Sequence, residues 1–116
     1  MTAKHKIAVY GTLRPATGQA VDIPGKIYDI GWFPGLVMDD SGTVVTGTWI
    51  EVDDNRLEEL DRYEGYNRNN HESSLYLRKP FKDGWVYVFN RTISNRSLIE
   101  SGDWLAHTKQ EQGVAA

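Results

Sequence analysis

Residues 7–14 read IAVYGTLR, an apolar run that ends in a small polar turn with an arginine behind it. The run at residues 7–10 is short and continuously apolar, which predicts a buried strand. The turn contains neither proline nor an Asx-Gly pair, the residues that most readily reverse a chain. Gly11, Thr12 and Leu13 instead present three consecutive backbone N–H groups. The segment is therefore either an ordinary turn or a cradle for a negatively charged group.

The composition is that of a globular chain without an obvious macromolecular partner. A length of 116 residues predicts one domain. Hydrophobic residues at 40% and charged residues at 25% are typical of a domain with one modest core. The net charge of −3 argues against nucleic-acid binding, which favours a basic surface. The sequence has no cysteine, which excludes disulfides and cysteine-based catalysis.

The sequence also lacks targeting and metal-binding patterns. The apolar run at residues 7–10 is too short for a secretory signal peptide, and no run approaches the roughly 18 residues of a membrane span. We therefore expect a cytoplasmic protein with no membrane partner. His5, His71 and His107 lie far apart without ligand spacing, and no glycine-rich stretch matches a phosphate-binding loop, so we expect neither metal nor cofactor.

The remaining pattern is rich in strands. Asp83-Gly84 lies between two of them and indicates a hairpin. Gly47 within another strand indicates a bulge or a close approach of backbones. The polar end of the chain predicts a domain at residues 1–105 and a flexible tail at residues 106–116. Strands are predicted at residues 7–10, 24–30, 36–38, 44–52, 75–81 and 85–89.

One helix, predicted over residues 54–64, interrupts the strands. Asp53 or Asp54 can cap its start, and Gly65 is placed to end it. Its buried face contains Leu57, Leu60 and Glu64, since these residues are three and four positions apart. A carboxylate in this stripe, at the negative end of the helix dipole, is unexpected. Either the helix frays before Glu64 and the carboxylate points to water, or the carboxylate is buried with a raised pKa that suits a general base.

The loop at residues 10–13, YGTL, resembles the signature loop of the gamma-glutamylcyclotransferase-like superfamily, in its short AIG2-like branch. The resemblance continues in the same order over most of the chain. The matching segments are GKIYDIGWFPGL (25–36), GTWIEV (47–52), LDRYEGY (60–66), LYLRK (75–79), WVYVF (85–89) and SGDW (101–104).

This resemblance implies an α+β fold, a small mixed β-barrel with a short helix packed across it. It also implies an enzyme that needs no cofactor or metal and acts on a small-molecule gamma-glutamyl substrate. The reaction is a lyase-type cyclisation that forms 5-oxoproline and releases an amine. Glu64 is then the catalytic acid and base. The substrate-binding residues implied are Tyr10, Gly11, Thr12, Leu13 and Tyr76.

Two other functions remain open at this stage. The same pocket suits a binding module that holds a small carboxylate or glutamyl ligand without turnover. It also suits a hydrolase or ligase that acts on gamma-glutamyl amides. The polar segment at residues 66–76 is expected to border the pocket and to set leaving-group specificity. The oligomeric state is not encoded in any pattern that we recognise.

Several single residues have alternative interpretations. Asp61 is expected to be a solvated or capping acid, with a second catalytic carboxylate as the alternative. Arg14 is either an exposed loop cation or an attractor of anionic substrate. Tyr10 and Tyr76 line the pocket or fill the core. The four tryptophans are expected to pack in the core or to cover the barrel ends; they are Trp32, Trp49, Trp85 and Trp104.

Overall fold

The backbone forms a curled sheet with one helix inserted after its fourth strand. A computed structural model describes residues 4–15 and 17–108. The strands are β1 Lys4–Val9, β2 Ala20–Asp29, β3 Pro34–Met38, β4 Val44–Asp53, β5 Tyr76–Phe81, β6 Gly84–Phe89 and β7 Ser97–Leu98, and the helix is α1 Asp54–Tyr63. Every strand that the sequence pattern predicts is present, and β2 begins four residues before its predicted start.

The strands pair in the order β3-β2-β4-β1-β6-β5, and β7 adds to β2. Strands β1 and β6 run parallel, while the other neighbours are antiparallel. The sheet curls so far that Gly35 in β3 lies against the ring of Phe89 in β6, where an added Cβ would come within 2.9 Å of the ring. This half-barrel with its packed helix confirms the predicted α+β fold class.

Strand β2 passes straight through Pro24-Gly25, which the sequence pattern places at its start. Residues 20–24 pair with β4, whereas residues 25–29 pair with β3. Proline is tolerated where a strand changes partner, because its missing N–H is not required by either ladder. Gly25 has a φ of 148° and an added Cβ would overlap the Val37 carbonyl, so only glycine fits there.

Strand β4 is central and is covered on both faces. Val45 lies in the core cluster inside the half-barrel, whereas Val52 lies in the cluster beneath α1. Gly47 pairs with Val21 without a break in register, so it marks a close approach and not a bulge. An added Cβ at Gly47 would lie 3.1 Å from the Val9 carbonyl oxygen.

Strands β5 and β6 form the predicted hairpin, but its turn lies one residue earlier than predicted. Phe81 pairs with Gly84, so Lys82 and Asp83 are the two loop residues. Lys82 adopts the left-handed conformation that such a turn needs, with a φ of 53°. Gly84 is required for a different reason, since a Cβ there would overlap the backbone carbonyl of Lys6 in β1.

Helix α1 begins and ends where local chemistry predicts. Asp53 is the N-cap, and its carboxylate accepts a hydrogen bond of 2.8 Å from the Arg56 N–H. Leu57 and Leu60 are buried against β1 and β4 as the helical spacing predicts. Among the residues that the structure describes, no helix is long and apolar enough to cross a membrane.

Two expectations about packing need correction. Trp32 is 93% exposed, because it lies in the turn between β2 and β3 and not on a strand that faces the core. Residues 104–108 form a helical stretch, and His107 contacts Asp29 at 2.9 Å, so the segment predicted as a tail from residue 106 starts as a packed helix. Residues 109–116 lie outside the described residues, and their fraying stays a prediction.

Removal of the cap should weaken the helix. Asp53→Ala leaves the Arg56 N–H without its acceptor, and we expect a loss of about 1 kcal/mol in the free energy of unfolding. Asp53→Asn keeps an equally good cap and should stay within about 0.5 kcal/mol of the unmodified protein. Urea denaturation of the three proteins measures both differences. Equal stability of Asp53→Ala and Asp53→Asn would contradict the capping role.

Candidate functional site

A cavity of about 300 Å³ opens between the end of β1, the end of α1 and the start of β5. It brings together all six residues that the sequence analysis names as catalytic or substrate-binding. Its lining residues are Ala8, Val9, Tyr10, Gly11, Thr12, Leu13, Phe33, Pro34, Tyr63, Glu64, Leu75, Tyr76 and Tyr87. Residues 10–13 and Glu64, separated by about fifty positions in sequence, therefore face one volume.

The loop after β1 borders this cavity with Gly11, Thr12 and Leu13. The Arg14 N–H donates to the Gly11 carbonyl at 3.1 Å, which closes a tight turn. Among the residues that the structure describes, no backbone hydrogen bond outside the regular strands and helices has the N–H of Gly11, Thr12 or Leu13 as its donor. Three successive N–H groups without an internal acceptor are suited to bind a carboxylate or an oxyanion.

Glu64 is the C-cap residue of α1, and its position is fixed by the backbone. Its N–H donates to the Leu60 carbonyl at 2.8 Å, so the helical hydrogen bonds reach this residue and do not fray before it. Gly65 has a φ of 69°, and the Tyr66 N–H returns to the Asp61 carbonyl. These bonds form a Schellman closure, which requires a left-handed residue directly after the cap.

The environment of Glu64 favours its protonated form. Burial raises the pKa of its carboxyl from 4.5 to about 7. The negative end of the α1 dipole acts in the same direction. A carboxyl group with a pKa near neutrality exists in both protonation states at physiological pH, as a group that both accepts and returns a proton must. The geometry thus favours the buried alternative for Glu64.

Three buried tyrosines form the deep wall. Tyr10 donates its hydroxyl hydrogen to the Tyr87 carbonyl at 2.6 Å, and Tyr76 donates to the Pro34 carbonyl. Burial is the main reason that the pKa values of all three phenols are raised, and the nearby Glu64 carboxylate adds to it. The phenols therefore stay protonated, and each donates its hydroxyl hydrogen to an acceptor within the protein. Tyr10 and Tyr76 both line the cavity and contribute to the core.

Asp61 is neither a solvated acid nor a cap, which corrects the sequence-based expectation. Its carboxylate accepts hydrogen bonds from Arg78 Nε at 2.9 Å and from the Tyr87 hydroxyl at 2.7 Å. Arg78 also lies over the Trp85 ring, 4.5 Å from its centroid. This network ties the last turn of α1 to β5 and β6, and through Tyr87 it reaches the cavity wall.

Arg14 is likewise engaged inside the protein. Its Nη1 donates to Asp103 Oδ1 at 2.8 Å, and only 14% of its side chain is exposed. Asp103 also accepts from the Ala106 N–H at the start of the helical stretch. Arg14 is therefore neither an exposed cation nor a lining residue of the cavity. It connects the donor loop to the C-terminal segment.

Sequence analysis missed several lining residues. Phe33 comes from the turn before β3, Pro34 is the first residue of β3, and Tyr87 comes from the middle of β6. The sequence pattern predicts a strand from residue 36 but gives no sign that Phe33 and Pro34 face the cavity, and period-two alternation alone does not reveal which face of β6 lines it. Of the polar segment at residues 66–76, only Leu75 and Tyr76 line the cavity, so its polar residues do not contact this volume.

Comparison with known proteins decides the family. The family described as gamma-glutamyl cyclotransferase, AIG2-like, matches residues 7–106. The chain belongs to this family. The gamma-glutamylcyclotransferase family protein YtfP of Escherichia coli strain K12 is 32% identical over an alignment of 116 positions, gaps included, that covers 90% of this chain and 99% of YtfP.

Solved structures agree with the AIG2-like fold. The solution NMR structure of YtfP from Escherichia coli superposes with a TM-score of 0.63 at 29% identity, over 89% of this chain and 98% of that one. The crystal structure of YkqA from Bacillus subtilis gives a TM-score of 0.66 at 20% identity, over 96% of this chain and 43% of that one. The second likeness concerns the fold alone.

The raised pKa of Glu64 should make stability depend on pH. Between pH 4.5 and about 7, the unfolded chain releases this proton while the folded protein retains it, so stability falls as the pH rises. Glu64→Gln removes this cost, and we expect it to be more stable at pH 8 by roughly 0.5–2 kcal/mol and unchanged at pH 4. Denaturant titrations at both pH values measure the difference.

The control for this measurement is Glu58→Gln, on the exposed side of the same helix. Its effect on the free energy of unfolding should stay within about 0.5 kcal/mol at both pH values. Marked destabilisation of Glu64→Gln at pH 8 would mean that the carboxylate anchors the fold instead of straining it.

Proposed function

We propose that the protein is a gamma-glutamyl amine or peptide cyclotransferase that forms 5-oxoproline, with Glu64 as general acid and base. Family membership supports a cyclotransferase-like function. The observation that carries the finer proposal is the meeting, in one cavity, of a carboxyl group with a pKa of about 7 and a loop with three successive backbone N–H groups. Intramolecular cyclisation requires a base, an acid and a way to hold the substrate folded, and these groups supply each of them.

The glutamyl part of the substrate binds to the loop at residues 10–13. Its α-carboxylate, or the oxygen that becomes negative during the reaction, accepts hydrogen bonds from Gly11, Thr12 and Leu13. The described lining residues include no lysine or arginine, so backbone dipoles take the role that a cation often has. The buried rings of Tyr10 and Tyr76 pack against the methylene groups of the glutamyl chain.

Glu64 then removes a proton from the substrate α-ammonium. The freed amine attacks the γ-carbonyl carbon, a new C–N bond closes the five-membered ring, and the carbonyl oxygen becomes negative. Protonated Glu64 returns a proton to the nitrogen of the leaving amine, and the original amide C–N bond breaks as the carbonyl re-forms. The ring nitrogen, which the attack leaves positively charged, gives its extra proton to Glu64, and the released amine takes up that proton as it departs. No water is consumed, and the products are 5-oxoproline and the free amine.

The raised pKa matters quantitatively for the first step. Relative to a carboxylate at 4.5, a carboxylate with a pKa of about 7 accepts a proton more easily by roughly 3 kcal/mol. Proximity between the tethered amine and carbonyl contributes up to about 7–11 kcal/mol in well-oriented systems. A cavity that folds the substrate and supplies one base therefore accounts for substantial acceleration without a protein nucleophile.

Removal of the base should abolish most turnover. We expect Glu64→Gln to lower kcat/KM for gamma-glutamylethylamide by about 10²-fold or more, because glutamine cannot accept a proton. In the unmodified protein, kcat/KM should rise with pH through about 7, the pKa of Glu64. Glu58→Gln should retain both the rate and this pH profile. Release of 5-oxoproline, measured per folded molecule, checks all three proteins, and full activity of Glu64→Gln would refute the assigned base.

Crowding of the donor loop should weaken binding. A Cβ on Gly11 would lie 3.3 Å from Pro34 Cγ, so the branched side chain of Gly11→Val must push into the cavity or displace the turn. We expect Gly11→Val to weaken the binding of 5-oxoproline at least tenfold and Thr12→Ala, which keeps its N–H, to weaken it less than threefold. Titration calorimetry measures both. Equal losses in the two variants would refute binding through backbone donors.

A further inference from the structure

The side chains that line the buried end of the cavity differ from those that line its opening. Its deep wall consists of tyrosine rings that are almost fully buried. Its outer wall is mainly apolar: Leu13, Phe33 and Leu75 are half-buried there, and Tyr63 is 68% exposed. Thr12 and Tyr63 add uncharged hydroxyl groups to this wall. Tyr63 immediately precedes Glu64 on the last turn of α1, so an apolar surface reaches from the candidate base to the solvent.

Two arginines that are close in sequence to the cavity lining are committed elsewhere. Arg14 directly follows the donor loop, but it forms an ion pair with Asp103 at 2.8 Å. Arg78 lies two residues beyond Tyr76, but it pairs with Asp61 and stacks over an indole ring. Neither lines the cavity, and among its described lining residues Glu64 is the only carboxyl group and there is no cationic side chain.

The direction of a bound substrate follows from the proposed reaction. The glutamyl part occupies the deep end, because its carboxylate needs the donor loop and its amine needs Glu64. The leaving nitrogen must also be within reach of Glu64, which protonates it. The substituent on that nitrogen therefore extends past Glu64 along the outer wall, toward the mouth through which the amine departs.

We infer that this site selects gamma-glutamyl amides whose leaving amine carries an uncharged, apolar substituent, and that Tyr63 with the half-buried Phe33 and Leu75 forms its contact surface. The inference rests on the proposed function. A carboxylate on the leaving group would lose water against apolar side chains, find no cation there and lie near the Glu64 carboxylate. An ammonium group would lose water in the same way and compete for the one carboxylate that the reaction needs.

Two matched substrate pairs test the inference. Gamma-glutamylphenethylamide and gamma-glutamylphenylalanine differ only by a carboxylate on the leaving amine. The pentylamide and the 4-aminobutylamide of the γ-carboxyl group differ only by a terminal ammonium in place of a methyl group. We expect kcat/KM for 5-oxoproline release to be at least tenfold higher for the uncharged member of each pair. A ratio near one, or a preference for the charged member, overturns the inference while leaving the cyclisation itself intact.

A charge placed at the mouth should shift this preference. Tyr63→Lys introduces a cation beside the leaving group at an exposed position, and we expect kcat/KM for gamma-glutamylphenylalanine relative to the phenethylamide to rise at least fivefold. Asn55→Lys adds the same charge at the exposed start of α1, outside the cavity, and should leave that ratio unchanged. Equal effects of the two variants would mean that net charge, and not Tyr63, sets the preference.

The two levels of the argument fail in different ways. If the folded protein releases no 5-oxoproline from gamma-glutamylethylamide and none from any of the four amides, the proposed function is refuted. The substrate inference is then refuted as well. If it releases 5-oxoproline without discrimination within the pairs, only the substrate inference is refuted.

Discussion

The termination of helix α1 at Gly65 is the constraint on which the site depends. A left-handed residue at that position lets the chain turn back, so the Tyr66 N–H reaches the Asp61 carbonyl and the helix ends abruptly. Glu64 is consequently held at the C-terminal end of the helix, as its C-cap residue, and not in the middle of the helix. Its carboxyl group lines the same cavity as the loop after β1, at a place where both burial and the helix dipole disfavour a negative charge.

The cost of that carboxylate is offset by the packing of the turns around it. Leu57 and Leu60 pack against β1 and β4, and Asp61, one turn after Leu57 on a neighbouring stripe of the helix, bonds to Arg78 and Tyr87. The last turn of α1 is therefore fixed by apolar contacts and by a polar network at once. A rigid support of this kind is what keeps a titratable group in an unfavourable environment without local unfolding.

Local signals in the sequence predict much of this architecture. They do not predict side-chain contacts between residues that are far apart in the sequence. The Asp53 cap and the Gly65 stop follow from residue preferences within a few positions, and hairpin β5–β6 follows from the Asp83-Gly84 pair between two strands. The pairing of Arg14 with Asp103 joins residues 89 positions apart, and no periodicity encodes it. The same limit explains Asp61, whose partners lie 17 and 26 positions away. Trp32 shows the converse error, since hydrophobicity predicts burial only when the backbone turns the residue inward.

The ion pair between Arg14 and Asp103 also bears on when, during folding, the loop at residues 10–13 becomes fixed. It closes a loop that contains every strand except β1, so we expect it to form after the strands within that loop have paired and shortened the distance to be closed. The donor loop gains this support late, when the residues after β7 dock on the sheet. Contacts between such distant positions raise the contact order of the fold and slow its completion. A nascent chain can thus acquire its sheet and helix well before its anion-binding loop is held in place.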